Sequence, residues 1–354
     1  MNHKIISVGM MLMGALCACE KTEVKEIWED RYVNQPMDTV QVIDNYHLTD
    51  RIVRTAADMN DRETLAAVSL FLDGEELYIA NEGGKSVDVF DAGSMEYRRS
   101  IYHGERTEAH DIYVEGEHLF VAAGNMREVQ IFDKQSGDYL TRLGTGVYYG
   151  NVSWAGCVAA TPRFVFVRDS KETNIRVFDR DALAMTQTNN NTVFAKLSTG
   201  SHFIGSKQET TQMSYDMEII GDSLYAFLHA PGQIYSYALS DIENLKNDTP
   251  AQCTTLAGGM KVYSVVVTPK NTVWVAMRKD GKTSIAEMSL EDFQRRNFDS
   301  LLRNIDESSL FPLPSCPIIA NYDERIYYVN GDRIERCSIV NIPFYVLRPK
   351  GNSD

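Results

Sequence analysis

No apolar run approaching the roughly eighteen residues of a membrane-spanning helix occurs in this 354-residue chain, so no transmembrane helix is expected in the mature protein. Positive charge is also in short supply. Against 49 Asp and Glu there are 35 Lys and Arg, a formal net charge of -14, and the basic residues are scattered. A phosphate backbone would be repelled on average, which argues against nucleic acid as a partner. Of six cysteines, four lie beyond the first twenty residues: Cys157, Cys253, Cys316 and Cys337. They are too widely spaced for a disulfide-stapled domain and form no CxxC pair, so they read as buried free thiols, with pairing left open. Low-complexity segments are absent. What is present is ordinary globular material, 44% apolar and 24% charged, enough for a sizeable core.

Catalytic signatures are missing as well. Gly281-Lys282-Thr283 and Gly84-Lys85-Ser86 end like phosphate loops, but the glycine needed five residues earlier is Ala276 in one and Ile79 in the other. Both read as turns. There is no G-x-S-x-G elbow, no HExxH and no calcium-loop motif.

The chain opens with Lys4 and an apolar stretch from Ile5 to Leu16, the length of a signal-peptide core. It ends in Leu16-Cys17-Ala18-Cys19, which resembles the lipobox of bacterial lipoproteins. The resemblance implies that residues 1–18 are removed and that Cys19 is diacylated, leaving the lipid as the sole membrane attachment. Glu20, where retention signals carry Asp, implies the outer membrane, on either its periplasmic or its surface side.

From residue 65 onward a pattern of strand, tight turn and strand recurs. The second strand of each unit starts at Leu77, Leu119, Val165, Leu224, Val273 and Ile326, at intervals of 42, 46, 59, 49 and 53 residues. In the first four units an apolar partner follows thirteen residues later, at Phe90, Phe132, Phe178 and Tyr237. The fifth and sixth units drift by about two residues. Three units finish in Phe-Asp (Phe90-Asp91, Phe132-Asp133, Phe178-Asp179), an inward apolar residue followed by a turn-forming carboxylate. Each unit reads as a four-stranded antiparallel meander, which buries its two faces only by radial stacking. The expected fold is all-β, a six-bladed β-propeller over residues 65–350, with seven blades left open. Residues 19–64 read as a tether with a ring-closing strand at Val40 to Ile43. A short helix is expected within Leu290 to Leu310.

The segment from Val129 to Leu140 resembles an NHL repeat, and Asn81-Glu82-Gly83-Gly84-Lys85-Ser86-Val87 resembles the related YVTN type. With the lipobox, the chain resembles the six-bladed propeller lipoproteins of Bacteroidetes. That resemblance implies an envelope protein of a glycan or nutrient uptake system.

Where each innermost strand begins, nine residues before the second-strand start, stand Val68, His110, Gly156, Tyr215, Ser264 and Pro317. His110-Asp111-Ile112 resembles segments that supply zinc ligands in the NHL-type peptide-amidating lyase, but here one blade alone carries the His. No cofactor is expected; a metal completed by His202 or His229 is left open. Loops on the same edge carry Tyr148, Tyr149, Trp154 and His202. With His110, Tyr215, His229 and Arg278 they form the expected ligand face, where rings cover apolar surfaces and polar groups read hydroxyls or amides. The leading reading is a module binding a glycan, a peptide or another envelope protein. The alternative is a metal-dependent lyase or hydrolase at the channel mouth.

Overall fold

The computed structural model describes residues 37–43, 46–59, 64–104, 107–144, 152–170, 174–183, 193–198, 216–228, 233–244, 252–255, 261–268, 270–279, 282–297, 319–322, 325–341 and 344–349. The chain divides into two units. One comprises residues 1–47 and 339–354; in it β1 (Met37–Ile43) pairs antiparallel with a C-terminal strand, Phe344–Pro349, from Ile43 opposite Phe344 to Met37 opposite Pro349. The other, residues 48–338, is the propeller.

Just ahead of the first blade lies β2 (Tyr46–Arg54). Blade 1 is β3 (Ala67–Asp73), β4 (Glu76–Asn81), β5 (Ser86–Asp91) and β6 (Tyr97–Tyr102). Blade 2 is β7 (Ala109–Glu115), β8 (His118–Ala123), β9 (Glu128–Asp133) and β10 (Tyr139–Leu143). Blade 3 is β11 (Ala155–Ala160), β12 (Phe164–Asp169), β13 (Asn174–Asp179) and β14 (Ala195–Ser198). Blade 4 is β15 (Met217–Ile220), β16 (Ser223–Leu228), β17 (Gln233–Ala238) and β18 (Gln252–Thr255). Blade 5 has three strands among the described residues, β19 (Lys261–Val267), β20 (Thr272–Lys279) and β21 (Lys282–Ser289). Blade 6 is β22 (Ile319–Tyr322), β23 (Arg325–Asn330) and β24 (Arg333–Asn341), with β2 as its outermost strand. Two short helices, α1 (Leu239–Asn244) and α2 (Leu290–Gln294), follow β17 and β21.

The innermost strands touch in succession from β3 through β7, β11, β15 and β19 to β22, and β22 returns to β3. Strand β2 precedes blade 1 in sequence and completes blade 6, so the ring is closed by a strand from its own N-terminal side. The closing strand is therefore β2, downstream of the segment expected at Val40 to Ile43. That segment lies in β1 and pairs outside the blades.

The six expected second-strand starts are each the second residue of their strand, from Leu77 in β4 to Ile326 in β23. The thirteen-residue spacing is a cross-strand pairing: Leu77 lies opposite Phe90, Leu119 opposite Phe132, Val165 opposite Phe178 and Leu224 opposite Tyr237. In blade 5 Val273 pairs with Met288, fifteen residues on, and in blade 6 Ile326 pairs with Cys337, eleven on. These second strands are buried on both sides because a neighbouring blade covers each face. They consequently read as apolar runs, whereas outer strands such as β6 and β10 mix exposed, half-buried and buried residues. The carboxylates after the Phe residues do cap their turns: Asp91 accepts from Ser94 N, Asp133 from Ser136 N and Asp179 from Asp181 N. Gly74 and Gly116 take the left-handed conformation (φ 56° and 62°) that the two-residue turns of blades 1 and 2 require. Cys157 and Cys337 are buried free thiols. None of the described helices is long and apolar enough to cross a membrane.

Candidate functional site

At the head of the inner strand, four blades carry the same irregularity. Pairing of β3 with β4 steps from Ala67 to Ser69, of β7 with β8 from Ala109 to Asp111, of β11 with β12 from Ala155 to Cys157, and of β19 with β20 from Val262 to Ser264. The skipped residues are Val68, His110, Gly156 and Tyr263. Each is a β-bulge, which turns one side chain away from the regular pleat. Val68, His110 and Tyr263 line the central channel. In blade 3 the position is Gly156, where a Cβ would lie 1.9 Å from Ser170 Oγ, so a side chain there would require Ser170 to move. Ser264, expected in this ring, stands one residue too far in. The β19–β20 turn is one residue longer than its counterparts, pairing Val273 with Val267 where blade 2 pairs Leu119 with Val114, and this shifts the column to Tyr263.

Trp154 is held against His110 by its own loop. The Asp169 carboxylate, fully buried at the end of β12, accepts from Ser153 N at 2.6 Å and Trp154 N at 3.1 Å, and is paired with buried Arg176 at 3.3 Å. This fixes the backbone and brings the Trp154 and His110 rings to a centroid distance of 5.4 Å at a 51° tilt. Gly124 makes room for both, since a Cβ there would lie 2.4 Å from His110 Cδ2 and 2.5 Å from Trp154 Nε1. Burial pushes the His110 pKa down, against the pull of Glu82 and Glu108, so the imidazole is neutral at pH 7. Its Nε2 is buried and has no hydrogen-bond partner among the described residues.

Below the bulges lies a cavity of about 240 Å³, lined by all six inner strands. Opposite the fifth residue of the second strands come Ser69, Asp111 and Ser264, with Asp216 in the same register through its carbonyl bond from Phe227 N. Two residues further along the same strands are Phe71, Tyr113, Glu218 and Val266, matched by Ala320 in blade 6. Asp111 accepts from Ser69 Oγ at 2.7 Å and from Val158 N at 2.9 Å. Asp216 accepts from Val265 N at 3.0 Å and from the Ser264 hydroxyl. No Lys or Arg is among the lining residues. Burial, reinforced by the charge of Asp216, raises the Asp111 pKa to about 8; burial raises Asp216 to about 6. Glu218 is pushed well above the ordinary carboxyl range by burial and then by the two aspartates.

Of the expected ligand face, His110 and Trp154 are brought together. Arg278 is half-buried in β20, opposite Lys261, and is not a lining residue of the channel. Tyr148, Tyr149, His202, Tyr215, His229 and the lipobox Cys19 lie outside the described residues. Among the described residues no group of three or more His, Cys, Asp and Glu is placed to hold a metal ion. Sequence reasoning passed over Tyr263, Asp216, Glu218 and the role of Asp111. The available signal was the residue after the bulge column, where Asp111 and Asp216 recur in register.

No protein-family model matches the chain, and no curated protein sequence does. Solved structures do resemble it. Hydrazine synthase from Kuenenia stuttgartiensis aligns over 81% of this chain and 97% of its own, with 12% identity and a TM-score of 0.51. The computationally designed Ika8 protein aligns over 75% of this chain and 68% of its own, with 13% identity and a TM-score of 0.41. At such identity the first likeness bears on the fold alone, and it agrees with the propeller architecture.

Proposed function

We propose that this chain is a lipid-anchored envelope protein whose propeller binds a glycan or peptide at the channel mouth without covalent chemistry. The ring of bulges carries this reading. The same departure from the regular ladder in four blades turns Val68, His110 and Tyr263 into one opening, beside a tryptophan whose position is set by a buried carboxylate. Bulges cost ladder hydrogen bonds and concentrate where a side chain must be re-aimed. An aromatic ring beside a neutral imidazole suits the apolar face of a sugar or a peptide side chain. The cavity beneath, carboxyl-lined and without Lys or Arg, disfavours anionic ligands and accommodates hydroxyl or ammonium donors.

The test is a melting-temperature screen of neutral, cationic and anionic glycans and peptides. A ligand at about 100 times its Kd should stabilise the fold by about 2.7 kcal/mol. Trp154→Ala should abolish that shift and leave the melting point of the free protein close to wild type. A hit that survives this substitution, or one confined to anionic ligands, overturns the reading.

Anchoring is tested separately. The apolar stretch before Leu16-Cys17-Ala18-Cys19 supports acylation at Cys19. Cys19→Ser should release the protein from the detergent phase on partitioning; unchanged membrane fractionation would count against the lipid.

A further inference from the structure

We propose that Glu108 is the specificity-determining residue of the channel mouth, and that it selects an amino sugar held with its ring against Trp154 and its ammonium on the Glu108 carboxylate. Glu108 takes this role only if the mouth is a ligand site, as proposed above.

Repeat register carries the assignment. Two residues ahead of the bulge, three successive blades clamp the backbone in the same way. Ala66 N donates to Asn81 Oδ1 at 3.0 Å, Glu108 N to Asn125 Oδ1 at 3.0 Å, and Trp154 N to Asp169 Oδ1 at 3.1 Å. Ala66, Glu108 and Trp154 therefore hold one equivalent position on the rim, and Glu108 is to blade 2 what Trp154 is to blade 3. Each clamp fixes its rim residue before a ligand arrives, which lowers the cost of ordering it on binding.

His110 links the two. Its ring lies 5.4 Å from that of Trp154, and the charges of Glu82 and Glu108 both act on it. Glu82 stands in the turn after β4, where its amide donates to Ala66 O at 2.9 Å. Blade 1 thus has a small rim residue with a carboxylate beside it. Glu82 and Glu108 are half-buried, and among the described residues neither carboxylate has a hydrogen-bond or ion-pair partner. Lys85 and Arg127, in the turns after β4 and β8, bond to neither of them. Lys261 holds the equivalent rim position in blade 5, on the opposite side of the six-bladed ring.

A half-buried carboxylate without a partner favours a cation, and partial burial weakens screening by salt. The neighbouring tryptophan adds a face that covers apolar surface and attracts positive charge. An amino sugar meets both demands at once, because its ammonium is attached to the same ring that the tryptophan covers. A lysine side chain carries its ammonium at the end of a flexible stem and offers the tryptophan no ring. N-acetylation removes the charge and leaves the ring. Beneath the rim the cavity wall holds Asp111, Asp216 and Glu218 and no Lys or Arg, so nothing there repels an ammonium.

The experiment is calorimetric titration of the full chain with oligomers of glucosamine, N-acetylglucosamine and glucose of equal length, and with trilysine, at a pH where the amines are protonated. The glucosamine oligomer should bind most tightly. Glu108→Gln, which leaves the backbone clamp in place, should weaken it by about tenfold to a hundredfold and leave neutral sugars unaffected. No binding of the glucosamine oligomer, equal binding of the three sugars, or a charged preference that survives Glu108→Gln overturns the assignment. Binding of neutral sugars that Trp154→Ala abolishes would still uphold the mouth as a ligand site, whereas binding indifferent to Trp154→Ala removes the mouth itself. Trilysine binding more tightly than the glucosamine oligomer overturns the sugar in favour of a peptide. A ligand-free check is nuclear magnetic resonance titration of His110. Loss of the Glu108 charge should lower its pKa further, and an unchanged His110 titration in Glu108→Gln would place that carboxylate away from the mouth and overturn the assignment.

Discussion

Deleting residues 46–54 is expected to abolish cooperative folding of the propeller, although the segment precedes the first blade and carries none of its repeat. It supplies β2, the outermost strand of blade 6, and without it β24 becomes an exposed edge at the seam where the ring closes. The same strand brings Arg51 to the buried Glu335 carboxylate at 2.5 Å, which Tyr328 and Asn330 also bind. At the same seam a set of donors grips one turn of blade 1. Tyr327 OH donates to Ala92 O at 2.6 Å, Arg336 to Gly93 O, and Arg54 to Met95 O at 2.6 Å and Ser94 O at 3.2 Å. Two of those donors are on blade 6 and one is on β2, so loss of β2 weakens the seam twice over. A milder version leaves the strand intact: Tyr327→Phe strands the Ala92 carbonyl in a buried position and should cost about 1–3 kcal/mol. Circular dichroism melts of the deletion variant give the check. A soluble, cooperatively melting protein lacking residues 46–54 would show that closure does not depend on this strand.

That strand also marks where the sequence stops being legible. The six second strands could be read because burial on both faces makes them continuous apolar runs such as Leu77-Tyr78-Ile79-Ala80. The thirteen-residue spacing could be read because it is a direct cross-strand pairing within one meander. Strand β2 has the sequence Tyr-His-Leu-Thr-Asp-Arg-Ile-Val-Arg, with Asp50 and Arg51 exposed, and an outer strand of this kind leaves no apolar run. Its partner lies at the far end of the chain. The site was half legible for a related reason. The column through His110 follows from repeat register, but a longer turn in blade 5 moved it from Ser264 to Tyr263. The carboxyl links were hidden because they join different blades, at separations of 42 residues for Ser69 and Asp111, 47 for Val158 and Asp111, and 49 for Val265 and Asp216. No pattern within a single unit reports such a contact.

Phe178→Ala is expected to destabilise the propeller by about 3–5 kcal/mol, with Phe90→Ala and Phe132→Ala in the same range. All three rings are buried, at 0%, 0% and 2% exposure for Phe90, Phe178 and Phe132, and each lies opposite the second residue of its second strand. They belong to three different core clusters, so each substitution opens a cavity that the others cannot relieve, and the losses should add. In blades 1 and 2 the ring also meets a tyrosine of the outer strand edge to face, Phe90 with Tyr97 at 5.7 Å and Phe132 with Tyr139 at 5.6 Å. Removing Phe132 therefore uncovers part of Tyr139, already 49% exposed, where the surrounding side chains have more freedom to collapse. Among the described residues Phe178 makes no such contact with an exposed ring; it belongs to a cluster with Val165, Val177 and Leu197, each fully buried, and should show the larger loss. Urea unfolding at fixed pH gives the measurement, as a lower midpoint at unchanged slope. Phe178→Leu should recover most of the difference, because it restores apolar volume without the ring. A loss below about 1 kcal/mol for Phe178→Ala would mean that the repeated Phe column is not what holds the blades together.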